Sequence, residues 1–350
     1  MKAIRESIAK MQGYVPGRQP SGVYVKLNAN ENPYPPSPKV AEVLASLACD
    51  NLRLYPSSSS FPLRKIASET FGIKPESIVC GNGSDDVFTM IIRTFLNAGD
   101  TLAVVDPTYT LYETLAQIQD AKTERHPLKE DYSLPESFFE SKAKLKILPN
   151  PNAQTGTLFP EKDLRRLCET AQGAVVLDEA YALFSGKTSL GLLSEFPNLV
   201  VTRTLSKSHS LAGMRIGFGF ASEEIIEAFH KVRDSYNVNT VSQAVGAAAL
   251  LDGTYTEKVV GKILKTKKTF AAGLVALGWE VIPSEGNFLL VKPPSGEAKE
   301  IVKRLEKEGF LVRHFETLRL QDKIRISIGT DEQMEQLLAL IANLTKEAAC

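Results

Sequence analysis

Short apolar runs that end in polar residues alternate with helical segments over the first two thirds of the chain. This alternation constrains the fold more than any other feature. Strand patterns at 77–80 and 101–105 precede helical patterns at 85–96 and 110–119, and further strand patterns follow at 145–148, 174–177, 199–201 and 216–220. Apolar strands separated by helices are typical of a mainly parallel sheet covered on both faces. The sequence therefore predicts an α/β fold.

The pattern differs at both ends of the chain, which predicts three parts. Residues 1–36 form an extended arm, because their clusters of Pro and Gly at 15–17, 19–22 and 32–36 forbid a long helix. Residues 37–250 form the large domain. Residues 251–350 form a smaller α+β domain, in which a Lys-studded helix precedes strands at 279–282, 288–291, near 311–313 and at 323–328, with helices at 297–308 and from 331.

The charges of the chain balance, which limits the class of partner. Lys and Arg total 41 and Asp and Glu total 41, so the formal net charge is zero. Nucleic-acid-binding proteins usually carry a basic excess, so the balance favours small-molecule substrates. Residues 1–12 are too charged for a secretory signal, and the uncharged run 235–251 is too short to span a membrane. We therefore expect a cytoplasmic enzyme.

The cysteines indicate a reducing compartment and no metal site. They form no C-x-x-C pair, which argues against a zinc site or a redox-active dithiol. We expect two or three reduced core thiols and a free one at the tail; the four are Cys49, Cys80, Cys168 and Cys350.

The glycine-rich segment between the first strand and its helix is a candidate phosphate site. Residues 81–86 read Gly-Asn-Gly-Ser-Asp-Asp, and the free N–H groups of a helix start suit a phosphate. With Asp106 about 20 residues on, the segment also resembles a dinucleotide fingerprint, although Asp86 stands where the third glycine belongs. A tight turn with Ser84 as the helix N-cap explains the segment equally well. A dinucleotide-dependent dehydrogenase is therefore an alternative from another class.

Two further strand ends carry a carboxylate and a lysine. Asp178 follows a central apolar strand, where a buried carboxylate needs a partner, and a structural ion pair would also explain it. Lys207 lies between Leu205 and Leu211, so it is either a surface residue or a desolvated amine poised for Schiff-base chemistry. Arg215 follows eight positions later.

Together these sites match the needs of pyridoxal phosphate. Lys207 would bond its aldehyde and Asp178 would keep its ring nitrogen protonated. Ser206 and Arg215 would complete a phosphate site that begins at Gly83 and Ser84.

Nine short motifs follow one another in a specific order along the chain. They are the segments 27–33, 55–56, 81–85, 106–109, 150–152, 178–181, 204–207, 211–215 and 325–330. Through them the chain resembles, over essentially its full length, the pyridoxal-phosphate-dependent aminotransferases of the aspartate aminotransferase fold, and among them the histidinol-phosphate aminotransferase family. The resemblance implies a mostly parallel seven-stranded sheet between helices, a smaller α+β domain and an N-terminal arm. It also implies a homodimer.

The resemblance assigns roles around the cofactor. It implies that Tyr109 stacks on the pyridine ring and that Asn152 and Tyr181 bond the ring's phenolic oxygen. Tyr55 would reach the cofactor phosphate of the neighbouring subunit. The cofactor-binding residues that it implies are Gly83, Ser84, Asp85, Tyr109, Asn152, Asp178, Tyr181, Ser206, Lys207, Arg215 and Tyr55 from the partner.

The implied substrate site lies in the small domain and the arm. The resemblance assigns Arg325 and Arg313 to a phosphate monoester, and two guanidinium groups suit a dianion better than a carboxylate. Tyr14 and Asn152 complete the site. On spacing alone Arg313 is equally well a strand-edge surface residue, and a packing role in the arm explains Tyr14 better than substrate contact.

The implied reaction is ping-pong transamination of L-histidinol phosphate with 2-oxoglutarate. It gives imidazole-acetol phosphate and L-glutamate, a step of histidine biosynthesis, with Lys207 as the acid–base catalyst. An aromatic amino acid aminotransferase and a threonine-phosphate decarboxylase share the fold and stay open. The chain departs from the family pattern at 153–154, where Asn-Pro reads Ala-Gln, at the serines 57–60, and at 284–288.

Overall fold

A computed structural model describes residues 3–14, 17–19 and 21–349, with side chains to 345. Val15, Pro16 and Pro20 of the predicted turn clusters lie outside the described residues, as does Cys350. The arm begins with a short helix, α1 (Glu6–Lys10), and continues to the two-residue strand β1 (Val25–Lys26).

The centre of the molecule is a seven-stranded sheet in the order β2-β8-β7-β6-β5-β3-β4. Only β8 runs against its neighbours β2 and β7, and the other pairs are parallel. The predicted mainly parallel sheet is thus confirmed. The strands are β2 (Ile78–Asn82), β3 (Thr101–Asp106), β4 (Lys122–Pro127), β5 (Leu145–Pro149), β6 (Ala174–Asp178), β7 (Leu199–Thr204) and β8 (Ile216–Phe220).

Both faces of the sheet are covered, as the apolar strands require. Because side chains alternate along a strand, Val104 packs into the cluster under one helical layer and Val105 into the cluster on the opposite face. The helices are α2 (Pro38–Ser46), α3 (Phe61–Phe71), α4 (Ser84–Phe95), α5 (Leu111–Ile118), α6 (Glu136–Glu140), α7 (Glu161–Thr170), α8 (Ala182–Ser185), α9 (Glu223–Val232) and α10 (Thr240–Leu250).

A smaller α+β unit follows, and its apolar residues form a cluster that also takes in Leu27, Ala153, Tyr181 and Phe184. Its antiparallel sheet has the order β12-β13-β10-β9, and β11 pairs in parallel with β1 of the arm. The elements are α11 (Gly253–Ala276), β9 (Glu280–Ile282), β10 (Phe288–Lys292), α12 (Ala298–Lys307), β11 (Phe310–Leu311), β12 (Arg313–His314), β13 (Ile324–Ser327) and α13 (Asp331–Ala349).

Short 3₁₀ turns connect several of these elements. They span Cys49–Arg53, Pro75–Ser77, Leu190–Ser194 and Ala212–Met214. Within the described part of the chain, no helix is both long enough and apolar enough to cross a membrane.

Two details differ from the sequence analysis. The edge strand β4 has no counterpart in the apolar pattern, because its residues are almost all exposed and polar. The interpretation of Ser84 as an N-cap is wrong: Gly83 takes that position at φ 85°, and Ser84 is the first helical residue.

Of the described cysteines, Cys80 and Cys168 are buried and Cys49 is exposed.

Candidate active site

A cavity of about 270 Å³ lies where the carboxyl ends of β6 and β7 meet the arm and the small domain. Eleven of the fourteen residues singled out in the sequence line it. They are Tyr14, Ser84, Asp85, Tyr109, Asp178, Tyr181, Ser206, Lys207, Arg215, Arg313 and Arg325. The other three, Gly83, Asn152 and Tyr55, lie outside its wall.

One end of the cavity is built around the start of α4. Gly83 has no side chain here because a Cβ atom would lie 2.5 Å from Nη2 of Arg215. Gly217 is needed in β8 for a similar reason, since its Cβ would lie 2.3 Å from the Ser84 nitrogen. Arg215 pairs with Asp85 at 3.0 Å. The first N–H groups of α4, the Ser84 hydroxyl and the Arg215 guanidinium thus lie at this end of the cavity, and donors of these kinds bind phosphate.

Asp178 ends β6 and is almost fully buried. Tyr112 Oη donates a hydrogen bond of 2.5 Å to Oδ2, while Thr202 Oγ1 and the Ala180 nitrogen each donate one of 3.1 Å to Oδ1. Burial raises the pKa of Asp178 to about 6, and these hydrogen bonds oppose the rise. The carboxylate thus accepts three hydrogen bonds but has no cationic partner among the described residues.

Because Asp178 is buried, we predict that the folding stability of the cofactor-free protein depends on pH. The folded pKa near 6 exceeds the ordinary value of 3.8, so folded protein holds a proton that the unfolded chain releases. Stability therefore falls as the pH rises from about 4 to about 6. At about 1.4 kcal/mol per pKa unit, the loss is on the order of 3 kcal/mol.

Replacement of this carboxylate by a neutral amide removes the effect. Asp178→Asn keeps the shape and does not titrate, so its melting temperature should fall less than that of wild type between pH 4 and pH 7. Thermal unfolding of both cofactor-free proteins across that range measures the difference. Parallel curves for the two proteins would contradict the buried-carboxylate account.

Lys207 follows β7 and points its amine into the cavity. Nζ donates to the Ala29 carbonyl at 3.1 Å, and the Lys207 carbonyl accepts from Asn32 Nδ2 at 3.0 Å. Burial, and then the charge of Arg325, lower the pKa of Lys207 to about 8. The arm thus holds an amine that loses its proton far more readily than a surface lysine.

Tyrosine rings form another wall of the cavity. Tyr109 contacts Tyr14 edge-on, with ring centroids 5.6 Å apart. Tyr181 accepts a hydrogen bond of 2.8 Å from Asn30 Nδ2. Burial raises the pKa of Tyr181, so its hydroxyl stays protonated and, with Asn30 donating to its oxygen, has its own proton to donate elsewhere. Asn30 itself is held at φ 55° by Ser327, which accepts from the Asn30 nitrogen at 2.8 Å.

The two predicted substrate arginines lie opposite each other on neighbouring strands. Arg313 of β12 is the register partner of Arg325 of β13, and both guanidinium groups lie over the Phe315 ring, at 5.2 and 5.3 Å. Burial and the charge of Arg313 lower the pKa of Arg325. Like charges directly opposite in a sheet destabilise it, so this end of the cavity suits an anion.

The hydrogen-bond partners of Arg325 are all neutral. Nη1 donates to the Ala153 carbonyl at 2.9 Å and to Gln154 Oε1 at 3.0 Å, and Nη2 donates to the Asn28 carbonyl at 3.2 Å. The buried Nε has no hydrogen-bond partner in the described structure. A partly buried guanidinium that bonds only neutral groups keeps its positive charge available for an anionic ligand.

Asn152 and Tyr55 are not brought to the cavity wall. Asn152 is fully buried behind it, where Nδ2 donates to the Pro107 carbonyl at 3.0 Å and Oδ1 accepts from the nitrogens of Gln154 and Thr155. Tyr55 is 81% exposed and stacks on Tyr236, with centroids 4.4 Å apart.

Several residues of the site were missed in the sequence. Tyr112 lies in α5 and reads as a core aromatic, because Asp178, its hydrogen-bond partner, is 66 positions away in the chain. Asn30 lies in the motif 27–33 and Gln154 in the departure at 153–154, but the sequence assigned neither a role, because their partners lie far away in the chain. Glu179, beside Asp178, is used structurally: it forms a buried ion pair of 2.9 Å with Arg203.

The dinucleotide interpretation of residues 81–86 is wrong. The fingerprint needs a strand and helix that lead to a neighbouring parallel strand. Here β2 is an edge strand that pairs only with β8, and antiparallel, while β3 lies at the other side of the sheet.

Comparisons with known proteins agree with this geometry. The family model for aminotransferase class I and II matches residues 23–341. The histidinol-phosphate aminotransferase of Syntrophotalea carbinolica is 44% identical over 98% of this chain and 100% of that protein. That of Microcystis aeruginosa is 41% identical over 98% and 99%.

Solved structures share the fold. Histidinol-phosphate aminotransferase from Sinorhizobium meliloti, in complex with pyridoxal-5'-phosphate, has a TM-score of 0.90 at 24% identity, covering 99% of both chains. Thermus thermophilus aspartate aminotransferase with maleate has a TM-score of 0.83 at 19% identity, covering 98% of this chain and 100% of that one. The chain belongs to the class I and II aminotransferase family, in the branch that contains the histidinol-phosphate aminotransferases.

Proposed function

We propose that the protein transfers the amino group of L-histidinol phosphate to 2-oxoglutarate, with pyridoxal phosphate as its cofactor. The products are imidazole-acetol phosphate and L-glutamate, and the reaction belongs to histidine biosynthesis. The observation that carries the proposal is the facing pair Arg313 and Arg325, whose two charges suit a phosphate dianion better than a carboxylate. The names of the curated relatives support the same substrate.

The residues present fit pyridoxal phosphate. The cradle that a Cβ at Gly83 would fill suits its phosphate, with Ser84, Ser206 and Arg215 as donors. The buried carboxylate of Asp178 could pair with the protonated ring nitrogen, and the amine of Lys207 could bond the aldehyde. When bound, the cofactor supplies an aldehyde that condenses with amines and a ring that takes up electrons.

The chain's own residues would do the following work. Lys207, whose pKa is lowered to about 8, would take a proton from the substrate carbon and return it to C4′, the aldehyde carbon of the cofactor. Asp178 would hold a proton on the ring nitrogen, and Tyr112 would keep the carboxylate oriented. Tyr181 would donate its hydroxyl proton to the cofactor's phenolic oxygen, as Asn30 already fills its acceptor position.

Substrate would be held at the opposite end of the cavity. Arg325 and Arg313 would bind the phosphate ester, and Tyr109 and Tyr14 would contact the rings of cofactor and substrate. Asn152 would act from behind the wall, where its amide has one hydrogen left after bonding Pro107.

Product analysis tests the proposal against its rivals. With L-histidinol phosphate and 2-oxoglutarate we expect stoichiometric glutamate and no carbon dioxide. Release of carbon dioxide from threonine phosphate would instead indicate a decarboxylase, and turnover of phenylalanine alone an aromatic aminotransferase.

We further propose a cytoplasmic homodimer in which Tyr55 completes the partner's cavity. Tyr55 is exposed and away from the cavity of its own chain, which is what a residue that serves another subunit requires. Mixed dimers test this arrangement. Lys207→Ala and Tyr55→Ala are expected to be inactive or strongly impaired alone.

Mixing the two variants should restore activity. A heterodimer has one site with both defects and one with none, so random mixing recovers up to about a quarter of wild-type activity. No recovery, with heterodimers verified by differential tagging, would contradict a shared site.

A further inference from the structure

We propose that Gln154 orients Arg325 and leaves its charge unneutralised for the anionic group of the substrate. The proposal rests on the proposed function and adds a specificity-determining residue to it. Gln154 lines the cavity, is almost fully buried, and stands where the family pattern has proline.

The side chain of Gln154 bridges the two halves of the site. Its Nε2 donates to the Thr108 carbonyl at 3.1 Å, and its Oε1 accepts from Arg325 Nη1 at 3.0 Å. Thr108 precedes Tyr109 in the large domain, while Arg325 belongs to β13 of the small one. The amide therefore ties the substrate arginine to the segment that carries the aromatic wall.

The amide of Gln154 meets both demands. A carbonyl oxygen needs a donor and a guanidinium needs an acceptor, and an amide offers one of each. A glutamate carboxylate of the same shape would face the Thr108 carbonyl without a proton and would place a negative charge 3 Å from Arg325. The guanidinium would then be neutralised by the protein itself, in competition with the substrate.

The rest of the surroundings of Arg325 agrees with this role. Its other acceptors are the carbonyls of Ala153 and Asn28, so the whole set orients the guanidinium without cancelling its charge. Its Nε is buried with no hydrogen-bond partner in the described structure. An incoming anion would thus meet a rigid and uncompensated cation.

Binding of inorganic phosphate to the pyridoxal-phosphate-loaded protein tests the proposal without turnover. The cofactor's own phosphate site is filled in that form, so calorimetry reports the second anion site. We compare wild type, Gln154→Glu and Gln154→Met, with Arg325→Met as the reference for loss of the site. Unchanged cofactor content and melting temperature confirm that each variant is folded.

The Kd values for inorganic phosphate should follow a specific order. Gln154→Glu should weaken phosphate binding about ten-fold, because it adds a competing carboxylate. Gln154→Met removes both hydrogen bonds but no charge, and should weaken binding by less than about three-fold. Equal weakening by the two variants, or none by Gln154→Glu, would overturn the proposal.

Failure of this inference is distinguishable from failure of the proposed function. A wild type that turns over histidinol phosphate while Gln154→Glu binds inorganic phosphate normally refutes only the role of Gln154. A wild type that does not turn over histidinol phosphate refutes the substrate.

Discussion

Replacement of Lys207 by alanine is expected to lower the rate of transamination by at least about 1,000-fold, the range in which loss of a general base and nucleophile falls. The reason is that Lys207 is the one amine in the cavity wall whose pKa is lowered to about 8 by burial. Its loss removes both the covalent attachment of the cofactor and the group that moves the proton.

Borohydride treatment measures the attachment directly. Reduction should fix the cofactor to wild type and to the control Lys187→Ala, whose lysine lies on the surface, but not to Lys207→Ala. The variant should keep its fold and bind the cofactor reversibly. Covalent labelling of Lys207→Ala after reduction would show that another lysine carries the cofactor.

Replacement of Arg325 by methionine is expected to lower kcat/KM for histidinol phosphate by about 1,000-fold, because a buried charge pair in a binding site is worth several kcal/mol. The same change at Arg313 should also lower kcat/KM for histidinol phosphate, because both guanidinium groups line the cavity. Both variants should discriminate less between histidinol phosphate and unphosphorylated histidinol.

The ratio of kcat/KM for the two substrates separates phosphate recognition from general damage. Arg319→Met is the control, as this arginine belongs to the same domain and donates to the Lys129 carbonyl. An Arg325→Met enzyme with an unchanged ratio would assign the phosphate to other residues.

Sequence patterns sufficed where burial shapes the chain. The apolar runs of β3, β5, β6, β7 and β8 were visible because both faces of these strands are covered. Asp178 and Lys207 could be found because polar residues at the carboxyl ends of such strands face a ligand. The exposed strand β4 could not, since its side chains follow no apolar rule.

Contacts between segments that lie far apart in the chain could not be predicted from the sequence. Asn30 meets Tyr181 across 151 positions, and Gln154 meets Arg325 across 171. In the sequence, Asn30 and Gln154 look like any other polar residues, because their partners become neighbours only in the folded protein. Tyr112 likewise meets Asp178 across 66 positions, and nothing local in the sequence indicates that bond.

The zero net charge conceals a local excess of basic residues. The cavity is lined by five basic residues and three acidic ones, namely Lys26, Lys207, Arg215, Arg313 and Arg325 against Glu31, Asp85 and Asp178. A neutral chain can therefore hold a site for two phosphates, one of the cofactor and one of the substrate.

The half-reaction of the loaded protein with single amine donors tests the proposed substrate most directly. In the absence of 2-oxoglutarate, each donor is mixed with the protein and the loss of visible cofactor absorbance is followed. The account predicts that L-histidinol phosphate reacts at least about 100-fold more efficiently than phenylalanine or unphosphorylated histidinol, because only it engages both arginines. Equal or faster reaction of phenylalanine would contradict it.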